Sequence, residues 1–241
     1  MPFFNKALEL KPDYFEAYVM RGSTYMRLES FMNAIIDFDK ALEIDPSLIK
    51  AYNYRGFCYL ERKDYGRAID DFSKVIELIP DYPNAYESRA HAKSLSNKPK
   101  DAAPDYDKAI ELKPDFHEAF HHRAWNKIQL GDTSAAILDF NQAIELDKSQ
   151  PAYFDNRGTI LFALKDLKGA LKDFNTAIKL DQTLSVAYLH RAELKIEMGK
   201  SKPACKDLTM ANSLGNKEAS KLLEIHCVVE EKKDGKKETE Q

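Results

Sequence analysis

The residues of this chain whose types and spacing suit catalysis are His117, Glu118 and His121, which spell HExxH. On a helix the two imidazoles share a face as zinc ligands do, and the glutamate stands beside them as a general base for metal-assisted hydrolysis. The surroundings argue against that chemistry. Ala119 and Phe120, inside the motif, are residue types that recur along the chain at a fixed interval, and Glu118 has a counterpart in Glu16. No third ligand stands at the distance in sequence that such sites use. No Gly-rich phosphate loop, G-x-S-x-G elbow or Cys–His dyad accompanies it, and the chain holds only 9 glycines. Cys58, Cys205 and Cys227 are odd in number, far apart and without CxxC spacing, so neither a disulfide framework nor a zinc site is expected. The expectation is a non-enzyme with no catalytic residues, no metal and no cofactor.

The elements that must position any site come from a repeat. Arg21, Arg55, Arg89, Arg123, Arg157 and Arg191 recur every 34 residues, and 16 residues after each stands Asp37, Asp71, Asp105, Asp139, Asp173 or Asp207. An aromatic precedes each Arg by three residues (Tyr18, Tyr52, Tyr86, Phe120, Phe154, Tyr188), and an Ala precedes each Asp by three (Ala34, Ala68, Ala102, Ala136, Ala170, Ala204). A fixed period of this length means stacked units that bury a core between neighbours.

When residues 15–48 are numbered 1 to 34, Ala17, Tyr18, Arg21, Gly22 and Tyr25 fall at 3, 4, 7, 8 and 11, and Ala34, Phe38 and Ala41 at 20, 24 and 27. Each set has the three-and-four spacing of one helical face. Glu29-Ser30 forms the break between them, and Asp45-Pro46 ends the second helix because Pro disfavours helix in the residue before it. Each repeat is therefore a helical hairpin. Small residues at 8 and 20, such as Gly56 with Ala68, let its two helices approach closely. Positions 7 and 23 lie level in an antiparallel pair. The expected role of the Arg and Asp ladder is thus structural, an ion pair between Arg at 7 and an Asp at 23 of the same or the preceding repeat.

This pattern resembles the tetratricopeptide repeat, whose signature has aromatics at 4, 11 and 24, Gly or Ala at 8, Ala at 20 and 27, and Pro at 32. The resemblance covers nearly all of 4–228 and implies an all-α, right-handed α-solenoid. Lys93, Lys127, Leu161 and Lys195 replace the aromatic at 11, and Lys148, Gln182 and Asn216 replace the terminal Pro. These departures predict looser joints in the second half. The expected organisation is a half-repeat at 1–14, six repeats over 15–218, a capping helix at 217–229, in which Ala219, Leu222, Leu223 and Ile225 cover the last hairpin, and a disordered charged tail at 230–241. Because Phe4 to Pro12 matches the second half of a repeat, the chain reads either as a piece of a longer protein or as an array capped by a lone helix.

The resemblance further implies a scaffold that holds a peptide or helix of a partner protein in a concave groove formed by first helices, at positions 2, 5, 6, 9, 12 and 13. Asn53, Tyr54, Phe57, His121, His122, Trp125, Asn156 and Phe162 occupy such places and form the candidate groove. Val19, Ser23, Tyr54, Asn84 and Ser88 do not form the carboxylate clamp of chaperone adaptors, and Met20, Tyr54, Ser88, His122, Asn156 and His190 do not form the asparagine ladder of O-linked N-acetylglucosamine transferases. The alternative is a segment of a larger enzyme or secretion machine that acts as a spacer or dimerisation surface. With 36 basic and 39 acidic residues the net charge is -3, which gives no bulk attraction to nucleic acid or to an anionic membrane. No apolar run approaches the roughly 20 residues of a membrane span. A soluble, cytoplasmic protein is expected, in keeping with its cysteines.

Overall fold

The structure is a computed structural model that describes residues 2–227, so the expected tail at 230–241 and the end of the 217–229 cap lie outside the described residues. Among the described residues there are 14 α-helices and no strands, the all-α class of stacked helical hairpins. They fall into two compact units, Met1–Asp132 and Thr133–Gln241.

The first unit contains α1 (Pro2–Leu10), the hairpins α2 (Phe15–Arg27) with α3 (Phe31–Ile44), α4 (Ile49–Glu61) with α5 (Tyr65–Leu78) and α6 (Pro83–Leu95) with α7 (Pro99–Leu112), then α8 (His117–Gln129). The second contains α9 (Thr133–Leu146), the hairpins α10 (Pro151–Ala163) with α11 (Leu167–Leu180) and α12 (Ser185–Glu197) with α13 (Ser201–Ser213), then α14 (Lys217–His226). Within each unit every helix packs on the next, and first helices also touch the first helix of the following repeat: α2 to α4, α4 to α6, α6 to α8, and α10 to α12.

The packing follows from residue size. Phe38, Phe72 and Phe174 at position 24 are almost wholly buried, and so are the alanines at 20 and 27. A Cβ on Gly56 would meet the Phe72 ring at 2.9 Å, so position 8 must stay small for the hairpin to close. The turns share one device. Position 15 takes a left-handed backbone, with φ of 56° at Glu29, 61° at Lys63 and Asn97, 64° at Lys165, 69° at Gly199 and 83° at Gly131. Only the two glycines adopt it without steric cost.

Two expectations are corrected, and one helix carries an irregularity. Cys205 and Cys227 form a disulfide, with Sγ atoms 2.09 Å apart, which ties the end of α14 back to α13. The cysteines therefore no longer argue for a reducing compartment. Spacing could not reveal the pair, because the 22-residue separation is closed by the packing of α14 on α13. Pro104 lies inside α7, beyond its first turn, where it removes the bond to the Lys100 carbonyl; both residues face solvent, so water can satisfy that oxygen. On α14, Ala219 is buried and Leu222 and Leu223 half-buried, but Ile225 is 61% exposed and faces mainly solvent.

Candidate functional site

Within each unit the arginines set the register of the joints. Nε and Nη2 of Arg55 donate to the two oxygens of Asp71 at 2.9 and 2.6 Å, a planar fork on a carboxylate that is 4% exposed. The same fork joins Arg21 to Asp37, Arg89 to Asp105, Arg157 to Asp173 and Arg191 to Asp207. The remaining Nη1 reaches the preceding repeat, but at position 25 and not at the Asp of position 23. Its acceptors are Asn5, Asp39, Ser73, Asp107, Asn141 and Asn175, at 2.6 to 3.2 Å, with Asp107 serving Arg123. Each guanidinium also lies 5.3 to 6.0 Å over the ring at position 4 of its own helix, which accounts for the aromatic three residues before each Arg. Burial works against the charge of Arg55, yet its bonds to Asp71 and Asp39 outweigh this and raise its pKa above the ordinary value. Lys93 and Lys195, read from sequence as losses of an aromatic, place Nζ 2.7 and 2.6 Å from Asp105 and Asp207 and so add a second cation to those joints.

With the joints held this way, position 5 of one first helix faces position 6 of the next, and position 9 lies one turn above. Three chemistries result. In the α2–α4 joint these positions are Val19, Ser23 and Tyr54; Val19, Met20, Leu48, Asn53, Tyr54 and Tyr82 contribute to a mainly apolar hollow of about 730 Å³. In the α6–α8 joint Glu87 Oε1 lies 2.5 Å from His122 Nδ1, and His91 stacks on His122 with ring centroids 4.2 Å apart. Glu87, His91 and His122 each offer a ligand atom within 4.8 Å of the others. In the α10–α12 joint Asp155 is buried, and its oxygens lie 3.0 and 3.1 Å from His190 Nδ1, with Thr159 Oγ1 at 3.4 Å from the same nitrogen.

Electrostatics separate the two imidazole clusters. Burial, reinforced by repulsion from His122, pushes His91 down to about 4. Burial and then the neighbouring His122 and His91 push His121 down to about 3. Burial also opposes charge on His190, but there the hydrogen bond and charge of Asp155 win and its pKa is raised. On α7 the Tyr106 hydroxyl is buried without a hydrogen-bond partner, and burial together with the charge of Glu87 raises its pKa.

The residues singled out from sequence are thus dispersed. Asn53 and Tyr54 line the hollow, whereas Phe57, 43% exposed, lies a turn away from it on α4. His121 and His122 lie ring to ring at 5.2 Å, and Trp125 is half-buried further along α8. Asn156 is half-buried on α10, and Phe162 spends part of its surface against the core of Ala170, Phe174 and Leu194. Of the HExxH residues, His117 Nδ1 lies 3.3 Å from its neighbour Glu118, and neither residue belongs to the three-donor set. Sequence reading missed Glu87, His91, Asp155, Thr159 and the position-25 acceptors. The last were detectable as a polar residue every 34 positions, the others only by pairing position 5 with position 6 of the next repeat.

The tetratricopeptide repeat pattern matches residues 15–48, 49–82, 117–150 and 152–184. The chain belongs to the tetratricopeptide repeat family. Among solved structures this tetratricopeptide repeat protein is similar to a chain of the crystallised APC/C hetero-tetramer Cut9–Hcn1, with a TM-score of 0.79 and 16% identity over 93% of this chain and 45% of that one. It therefore spans less than half of that neighbour. It is also similar to a tetratricopeptide repeat protein from Parabacteroides merdae ATCC 43184 (TM-score 0.76, 20% identity, 92% of this chain and 89% of that one). A third is YrrB, described as a TPR protein with an unusual peptide-binding site (TM-score 0.57, 24% identity, 76% and 95%). These identities establish a shared fold. No curated protein sequence matches the chain. Among the described residues no helix is long and apolar enough to cross a membrane.

Proposed function

We propose that this tetratricopeptide repeat protein is a non-catalytic interaction scaffold whose first-helix face takes a peptide segment or helix of a partner protein. The observation that carries this reading is the apolar hollow between α2 and α4. Its volume of about 730 Å³ falls in the range of ligand pockets, enough for several side chains of a bound segment, and its lining joins exposed Met20 to Val19, Leu48 and Tyr54. The peptide-binding site named for YrrB is in keeping with it. Phe57, His122 and Trp125 extend the proposed face along α4 and α8, and Asn156 and Phe162 are its counterparts on α10. The Arg and Asp ladder is assigned to holding the joints and not to the ligand. The spacer or dimerisation alternative has no observation of its own.

The test is capture of partners on the immobilised chain, identification of the bound segment, and titration of that segment against variants. Met20→Ala with Tyr54→Ala should weaken binding about 30-fold or more, the effect of losing an interface anchor. Phe57→Ala with Trp125→Ala then reports how far along the face the ligand runs. Unchanged affinity in both folded double variants would refute the reading.

A further inference from the structure

The geometry points to a divalent metal site in the α6–α8 joint: we propose that Glu87, His91 and His122 together bind a zinc ion through one carboxylate oxygen and two imidazole nitrogens. Glu87 and His91 stand four residues apart on one face of α6, the spacing at which two helical side chains chelate, and His122 supplies the third donor from α8. A tetrahedral zinc with bonds of roughly 2.0–2.1 Å needs donors on the order of 3.3 Å apart. The donors here already lie within 4.8 Å of one another, with the Glu87 to His122 pair at 2.5 Å joined by a hydrogen bond. Coordination requires the Glu87–His122 pair to open and His91 to turn out of its stack on His122, because rings only 18° from parallel aim their in-plane lone pairs along nearly parallel lines. Two imidazoles and one carboxylate suit zinc, and a three-donor set leaves a fourth position for water or a partner's side chain.

A second observation is independent of the donors. Position 24 is Phe in four repeats, Phe38, Phe72, Phe140 and Phe174, yet it is Tyr106 in the repeat that carries this cluster. That substitution places a buried hydroxyl without a partner in the field of Glu87. An orphaned buried donor calls for an explanation, and water held by a metal would supply one.

The chain contains its own control. In the α10–α12 joint the same three positions carry Asp155, Thr159 and His190, with the same 35-residue register between carboxylate and imidazole. It has two of the three donors and lacks the position-9 imidazole. Zinc binding to the whole chain is therefore measured by calorimetry and by chelator competition, with zinc as the only ligand, so the outcome does not depend on the peptide-binding reading. One equivalent is expected for wild type. His91→Thr should weaken it by at least about 10-fold, the lower end of what loss of even an outer-shell partner costs. His117→Asn, in the HExxH motif outside the cluster, should leave it unchanged. Tyr106→Phe restores the residue used by other repeats and should weaken binding without harming the fold, and Thr159→His should add a second equivalent. Equal binding by wild type and a folded His91→Thr, or loss of binding in His117→Asn, would overturn the assignment.

Discussion

The α6–α8 and α10–α12 joints use the same parts and reach opposite electrostatic states. In both, an arginine fork holds a buried aspartate and a carboxylate at position 5 meets an imidazole 35 residues later. In the first, His91 and His122 share one carboxylate with His121 beside them, so burial and mutual repulsion keep His91 and His121 neutral, at about 4 and about 3. In the second, a single imidazole has a carboxylate to itself, with Glu193 adding to the field, and His190 is raised. Backbone register decides which positions meet, and the number of like groups at the meeting decides the charge. The scaffolds differ too: Asp105 is held by Arg89 and Lys93, whereas Asp173 is held by Arg157 with Leu161 at position 11.

That last difference gives the largest predicted effect. Arg157→Ala leaves Asp173 buried without its fork and should cost roughly 3 kcal/mol or more, the penalty for removing one partner of a buried ion pair. Arg89→Ala should cost less, about 1 to 2 kcal/mol, because Lys93 still neutralises Asp105. Denaturant unfolding of the two variants decides the matter, and equal losses would show that the lysine contributes nothing.

The second helices offer a smaller contrast. Pro104 interrupts α7 beyond its first turn, whereas the equivalent α11 has no proline. Amide exchange should be faster over 92–104 than over the matching 160–172, by on the order of 10-fold, because Pro104 removes an intrahelical bond and the freed Lys100 carbonyl faces water. Matching protection in the two stretches would mean that the proline does not soften its joint.

Smallest is the response to pH. Because the folded pKa of His190 is raised, its contribution to stability is fully present below the unfolded value of about 6.5 and is lost as pH rises through the folded value. The groups facing it are Asp155 and Thr159 from α10, the Phe174 ring from α11 and Glu193 from its own helix. Between pH 6 and 8 wild type should lose on the order of a degree or two of Tm relative to His190→Gln. Parallel curves would show that Asp155 does not favour the imidazolium, and the contrast with His91 would collapse.

The hairpins, their 34-residue period and the small, aromatic and alanine positions of the core were legible in the sequence, because helical periodicity and residue size are local properties that repeat. The spacing of Arg at 7 and Asp at 23 also expressed a local relation, since two helices joined by one short turn bring level positions together. Contacts that cross from one repeat to the next depend on how hairpins stack, which no single repeat encodes. Tertiary structure alone therefore chose Asp39 and the other position-25 residues as the arginines' second acceptors, and brought Cys205 to Cys227. It likewise assembled Glu87, His91 and His122 while leaving the literal HExxH outside the three-donor set, because a binding site is a relation among side chains in space and a four-residue spacing on one helix supplies only part of it.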